Sequence, residues 1–222
     1  MTKYIQRHSR QTRITHGVFI SSCILLAITG LFVFVPPLTQ ALPASVVYGI
    51  RMAHRVLAAI FILFPIVSAI IAPKGAGHFF GKYLRKWDKD DITWLIRFVP
   101  YMLGPKRVHM PDQRIVKSGQ IVADGMLILI SLVMIISGFG LMFGGTGLKS
   151  VSLLFHDIGF VALILFGIAH IYLGAGIFQP YRHTVRLMFG DGKVSESDAL
   201  YHWGHWAREE LSSGANVVEK PE

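Results

Sequence analysis

Four long apolar stretches in a chain of 222 residues leave it few ways to fold. They lie near 17–36, 46–72, 118–143 and 151–177, and each is long enough to cross a hydrocarbon core, which takes about 20 residues. Only 16% of residues are charged and 52% are hydrophobic, with mean hydropathy +0.50. A soluble domain would carry about 25% charged residues. Backbone groups in lipid must be satisfied within their own segment, so the spans are helices. The fold class is therefore all-α: a polytopic membrane four-helix bundle, read as a single membrane domain over 1–222. The first stretch is too long for a signal peptide and no small-residue cleavage site follows it, so it reads as a retained helix.

Lys and Arg set the expected orientation. Residues 1–16 carry four, the loop 73–117 ten and the tail 178–222 five, whereas 37–51 carries only Arg51 and 143–151 only Lys149. The positive-inside rule places both termini and the long loop in the cytoplasm of a cell whose inner membrane the chain spans. The net charge of +9 is thus topological. A nucleic-acid partner is excluded, because no basic run is interleaved with stacking aromatics. Cys23 is the one cysteine and lies in the first apolar stretch, so the chain has neither a disulfide of its own nor a C-x-x-C-H haem attachment motif.

Two segments outside the spans carry helical signals. In the loop, Ile92, Leu95, Ile96, Val99 and Leu103 recur at helical spacing after Asp90 or Asp91, either of which can cap. This predicts an amphipathic helix on the cytoplasmic face, broken or bent at Pro100. In the tail, Ser195 and Asp198 have capping-box spacing and predict a helix over 196–211. His202 and His205 lack further metal ligands nearby, and the expectation is an exposed aromatic face for a partner protein. The last ten residues are expected to be disordered.

The histidines carry the chemistry. His156 and His170 are 14 residues apart, about 21 Å of helical rise and within about 40° of the same face. His54 begins the second span on the outer side and His16 precedes the first on the inner side. Depth pairs His54 with His156 and His16 with His170. Taken singly, each reads as a satisfied core residue or part of a proton relay. Matched depth and a shared face select bis-imidazole ligation of two haems b stacked across the membrane. Arg51 lies one turn before His54, placed to pair with a haem propionate. Abundant glycines, Gly30 and Gly138 among them, would let a flat ring approach. No H-E-x-x-H motif supports a zinc protease. A transporter or channel would want ionisable residues at midplane, and a haem-free structural anchor is the third class.

The segments TRITHG around His16, IRMAHRV around His54, DKDDITWL in the loop, KSGQ at 117–120, LLFHDIG around His156, GIAHIYLG around His170 and GDGKVS before the tail resemble the cytochrome b (gamma) subunit of membrane-bound respiratory formate dehydrogenase. That family lies within a wider group of di-haem cytochromes b that anchor hydrogenases and thiosulfate reductases. The resemblance covers roughly 10–210. It implies a subunit that does not itself bind formate. An iron–sulfur (beta) subunit beside a molybdenum or tungsten catalytic (alpha) subunit would feed the outer haem of His54 and His156. The inner haem of His16 and His170 would pass electrons to menaquinone or ubiquinone. The resemblance puts a quinone site at Lys117, Gly119 and His170, although the family's best-known form has Asn at the position of Lys117. It also implies membrane lipids as partners and a higher oligomer of the complex. The alternative within the class is the cytochrome b anchor of a [NiFe] hydrogenase or another periplasmic oxidoreductase.

Overall fold

The computed structural model describes residues 2–174, 176, 181, 182 and 184–220. A short strand, β1 (Thr2–Gln6), leads into α1 (Arg10–Phe34), whose start is set by Ser9: its hydroxyl accepts the Thr12 N–H at 3.1 Å. There follow α2 (Pro36–Gln40), α3 (Ala44–Ile71), α4 (Pro73–Leu84), α5 (Lys89–Leu103), α6 (Ser118–Phe143), α7 (Thr146–Gly174) and α8 (Arg186–Phe189). The tail forms β2 (Lys193–Ser195), α9 (Glu196–His202), α10 (Gly204–Ser213) and β3 (Val217–Lys220). Helices α1, α3, α6 and α7 are long and apolar enough to cross a membrane. At 25 to 29 residues each, they measure roughly 38 to 44 Å, more than a hydrocarbon core of about 30 Å. The expected limit of the fourth stretch, 175–177, lies outside the described residues save Gly176.

The chain gathers into two compact units. One comprises 15–73 and 126–168. Within it, Phe19 of α1 stacks on Phe61 of α3 at 4.2 Å and Thr15 shares a hydrogen bond of 2.7 Å with Ser68. Phe34 meets Phe160 of α7 at 5.2 Å. The outward faces of these helices are apolar and exposed, as at Leu63, Ile136 and Leu165, which suits contact with lipid.

The other unit comprises 1–14, 74–125 and 169–222. Its sheet has the order β2-β1-β3, both pairings antiparallel, with Tyr4 opposite Ser195 and Val218. Ile5 points into a core of Leu187, Val194, Ala199, Trp203, Trp206 and Ala207. Here several expectations fail. The tail helix is two helices, parted at Trp203. Most of its aromatic face is covered, because Trp203 and Trp206 are buried with Ile5 and Val194 of the sheet and His202 is buried as well, while Tyr201 is exposed. Residues 217–220 are a strand rather than disordered, while 221 and 222 lie outside the described residues. The Ser195 cap is present, its hydroxyl accepting the Asp198 N–H at 3.2 Å.

The loop also differs in detail. PKGAGH opens a new helix, α4, with Pro73 in its first turn, where a missing N–H costs nothing. The cap of α5 is Asp88, not Asp90 or Asp91. Asp88 accepts the Asp91 N–H at 2.9 Å, and Asp91 accepts the Asp88 N–H at 3.0 Å, a reciprocal box. Pro100 does not end the helix, which runs on to Leu103. The buried face of α5 clamps the first turn of α6. Asp91 accepts from Ser118 Oγ and pairs with Arg85, both at 2.6 Å. The Trp94 indole lies where a side chain on Gly119 would be.

Burial alone would raise the Asp91 carboxyl, but hydrogen bonds from Ser118 and the Asp88 N–H, with the charges of Arg85 and Arg114, hold it below its ordinary value. The stability this adds is present above the unfolded carboxyl value, near 4, and is lost as pH falls through the lower folded one. Asp91→Ala leaves the Arg85 guanidinium without its carboxylate and Ser118 with Gln113 alone as acceptor, at a cost of about 3 kcal/mol. It is expected to make the segment between α5 and α6 cleavable by trypsin at neutral pH, as gel electrophoresis of digests would show.

Candidate functional site

In the 15–73 and 126–168 unit, His54 of α3 and His156 of α7 face each other with ring centroids 6.4 Å apart and planes inclined by 67°. Each ring is held by a hydroxyl on a neighbouring helix. His54 Nδ1 lies 2.8 Å from Thr29 Oγ1 of α1, and His156 Nδ1 lies 2.9 Å from Ser137 Oγ of α6. A hydroxyl has one proton to give. Thr29 gives its own to the Leu25 carbonyl at 2.8 Å, and Ser137 gives its own to the Val133 carbonyl at 2.6 Å. Both hydroxyls therefore accept from imidazole, so Nδ1 carries the proton in each ring. The Nε2 lone pairs are left for a Lewis acid, the arrangement that orients metal-bound histidines.

The separation suits one metal atom between the rings. Two metal–imidazole bonds of about 2 Å, with ring offsets of about 1.1 Å on each side, put centroids roughly 6 Å apart. Glycines stand beside both rings. A Cβ on Gly30 would lie 3.6 Å from His54 Cε1, and one on Gly138 would lie 3.6 Å from His156 Cε1. Four helices thus supply two imidazoles, two orienting hydroxyls and two bare flanks. Among the described residues no cluster of three or more His, Cys, Asp or Glu side chains could hold an ion. A site of two axial imidazoles therefore fits a metal already held in a macrocycle.

Arg51 is exposed on α3, one turn before His54. The adjacent Arg55 is also exposed, with its guanidinium 3.8 Å from Met52 Sδ. His16 lies in the second turn of α1 and His170 four residues before the end of α7. These two fall one in each unit.

Lys117 and Gly119 belong to the other unit. Gly119 is taken up by Trp94, so a larger residue there would displace α5 rather than crowd a bound ring. Lys117 is buried, its Nζ 3.1 Å from His202 Nδ1 and 4.6 and 4.8 Å from the ring centroids of Tyr181 and Trp203. Arg7 covers the Trp203 ring at 4.2 Å. Burial, and then the charge of Arg7, push the Lys117 amine well below its ordinary value. Burial also lowers Arg7, with Asp124 opposing, to about 10.

The sequence reading missed Thr29 and Ser137, although a hydroxyl inside an apolar helix directly before a glycine was the available signal. It missed the cage of Arg7, Tyr181, His202 and Trp203 because its members are far apart in the chain.

A family model for prokaryotic cytochrome b561 matches residues 7–191. The chain belongs to that family. It is a multi-pass membrane b-type cytochrome that binds haem b and serves electron transfer. No curated protein matches the chain. The family match takes in all four expected haem histidines and stops short of α9 and α10, so His202 lies outside it.

This cytochrome is expected to lose haem affinity by roughly 10- to 100-fold when either orienting hydroxyl is removed, since outer partners hold metal ligands in place. Titration of apoprotein with hemin should show this for Thr29→Val and Ser137→Ala.

Proposed function

We propose that this cytochrome is the di-haem membrane subunit of a respiratory formate dehydrogenase, carrying electrons from a periplasmic iron–sulfur subunit to quinone on the cytoplasmic side. The observation that carries the electron-transfer reading is the facing pair His54 and His156, with both Nδ1 protons held by hydroxyls. The formate assignment rests on DKDDITWL and GDGKVS, which resemble that branch of the group.

Each residue then has a task. His54 and His156 hold the outer haem, and Thr29 and Ser137 keep both Nε2 atoms free of protons. Arg51, at the periplasmic end, pairs with a propionate. His16 and His170 hold the inner haem. Haem iron supplies one-electron oxidation and reduction at a potential tuned by its axial ligands. Menaquinone or ubiquinone takes two electrons beside the inner site and two protons from the cytoplasm. Inward electron flow with protons consumed inside generates a proton-motive force. Both termini are cytoplasmic, and the chain works within a complex that also holds the molybdenum or tungsten subunit. It therefore reduces quinone without binding formate.

The pyridine haemochrome of the purified chain should give two haems b per polypeptide, and one or none would refute the di-haem reading. In redox titrations, His54→Ala and His156→Ala should delete one and the same spectral component, and His16→Ala and His170→Ala the other. The large subunit that co-purifies from native membranes decides the donor. A nickel–iron protein in that position would move the assignment to the hydrogenase anchors.

A further inference from the structure

Lys117 is an unusual residue to bury at the start of a membrane span. Among the described residues no carboxylate forms an ion pair with it. Its Nζ has the His202 Nδ1 at 3.1 Å, beneath the rings of Tyr181 and Trp203. Two basic side chains that share a hydrogen bond hold one mobile proton between them, since one must accept what the other donates. His202 also lines a cavity of about 250 Å³ with Tyr4, Arg182, Arg186, Lys193 and Asp198. Arg182, Arg186 and Asp198 are exposed at its rim, which opens the cavity to water. One imidazole therefore touches both a cavity open to solvent and the amine of the residue that precedes α6.

We propose that His202 and Lys117 form a proton-transfer pair that carries protons from this cavity to the start of the third span, where quinone is reduced. The proposal rests on the reading that quinone accepts the electrons. An imidazole accepts at one nitrogen and donates at the other, so it passes protons without moving. Among the described residues, the groups facing the pair are Arg7 across Trp203, the phenols of Tyr181 and Tyr201, the basic rim of the cavity, and the acid Asp198 in its lining. Burial and Arg7 together lower the cost for Lys117 of giving up a proton. Among the described residues no carboxylate is ion-paired with the amine to trap the charge. Each turnover balances: quinone takes two electrons from the haem side and two protons through Lys117, and His202 restores each proton from cavity water.

The test uses the full-length cytochrome in membranes, with its haems reduced chemically and then mixed rapidly with a soluble quinone analogue over a range of pH. His202→Phe removes the relay. His202→Asn keeps an amide that can hydrogen-bond Lys117 but does not titrate. Both are expected to slow haem reoxidation about a hundredfold, the lower end for loss of a proton-transfer group. Haem absorbance should be intact, the pH dependence flattened, and the rate partly restored by added imidazole. A wild-type rate and pH profile in His202→Asn, with both haems present, overturns the relay and leaves the functional reading standing. If the wild-type cytochrome is reoxidised by no quinone analogue, the functional reading fails and the relay with it.

Discussion

An imidazole inside an apolar bundle must find a partner for both nitrogens, because water is not there to serve either. In this cytochrome the Nδ1 atoms of His54 and His156 are satisfied by Thr29 and Ser137, and those hydroxyls are in turn committed to backbone carbonyls one turn back along their own helices. The direction of every proton in the chain of bonds follows from that commitment. Nothing else in the bundle core need be polar. Glycines at 30 and 138 keep the flanks of the rings clear, and phenylalanines such as Phe34 and Phe160 close the surroundings.

The second unit is organised by a different need, anchoring a loop to the end of a span. The segments DKDDITWL and KSGQ, far apart in the chain, are two halves of one contact: Asp91 on Ser118 and Trp94 on Gly119. GDGKVS does comparable work in the tail. Gly192 takes a positive φ of 77° to turn the chain, Lys193–Ser195 pairs with β1, and Ser195 caps α9. The segments most characteristic of the resemblance are thus structural, while the haem chemistry depends on isolated histidines within anonymous apolar sequence.

That division explains what the sequence disclosed. Span positions were legible to within a few residues at most ends, because length and apolarity alone decide them. The first helix starts seven residues earlier than its apolar stretch, since Ser9 caps it in polar sequence. The shared face of His156 and His170 follows from helical periodicity, and the proximity of His54 to His156 followed from depth. The sheet was illegible. Its strands have three to five residues, too few for an alternating pattern to stand out, and their partners are as much as 218 positions apart, as with Thr2 and Lys220. The tail aromatics were read as exposed because an amphipathic helix states that it has an apolar face but not what covers it. Lys117 was read at the end of a span without its cage, since His202 is 85 residues away.

The sheet also orders events in time. β1 leaves the ribosome before any of the four spans, yet both strands it pairs with, β2 and β3, are made after the last of them. Nor can Ile5 bury itself before Trp203 and Trp206 exist. The amino-terminal strand must therefore wait, unpaired, while all four helices enter the bilayer. Closure of the sheet comes only after insertion, and a chain truncated after α7 would be inserted but left with an open edge strand, a ready substrate for quality-control proteases.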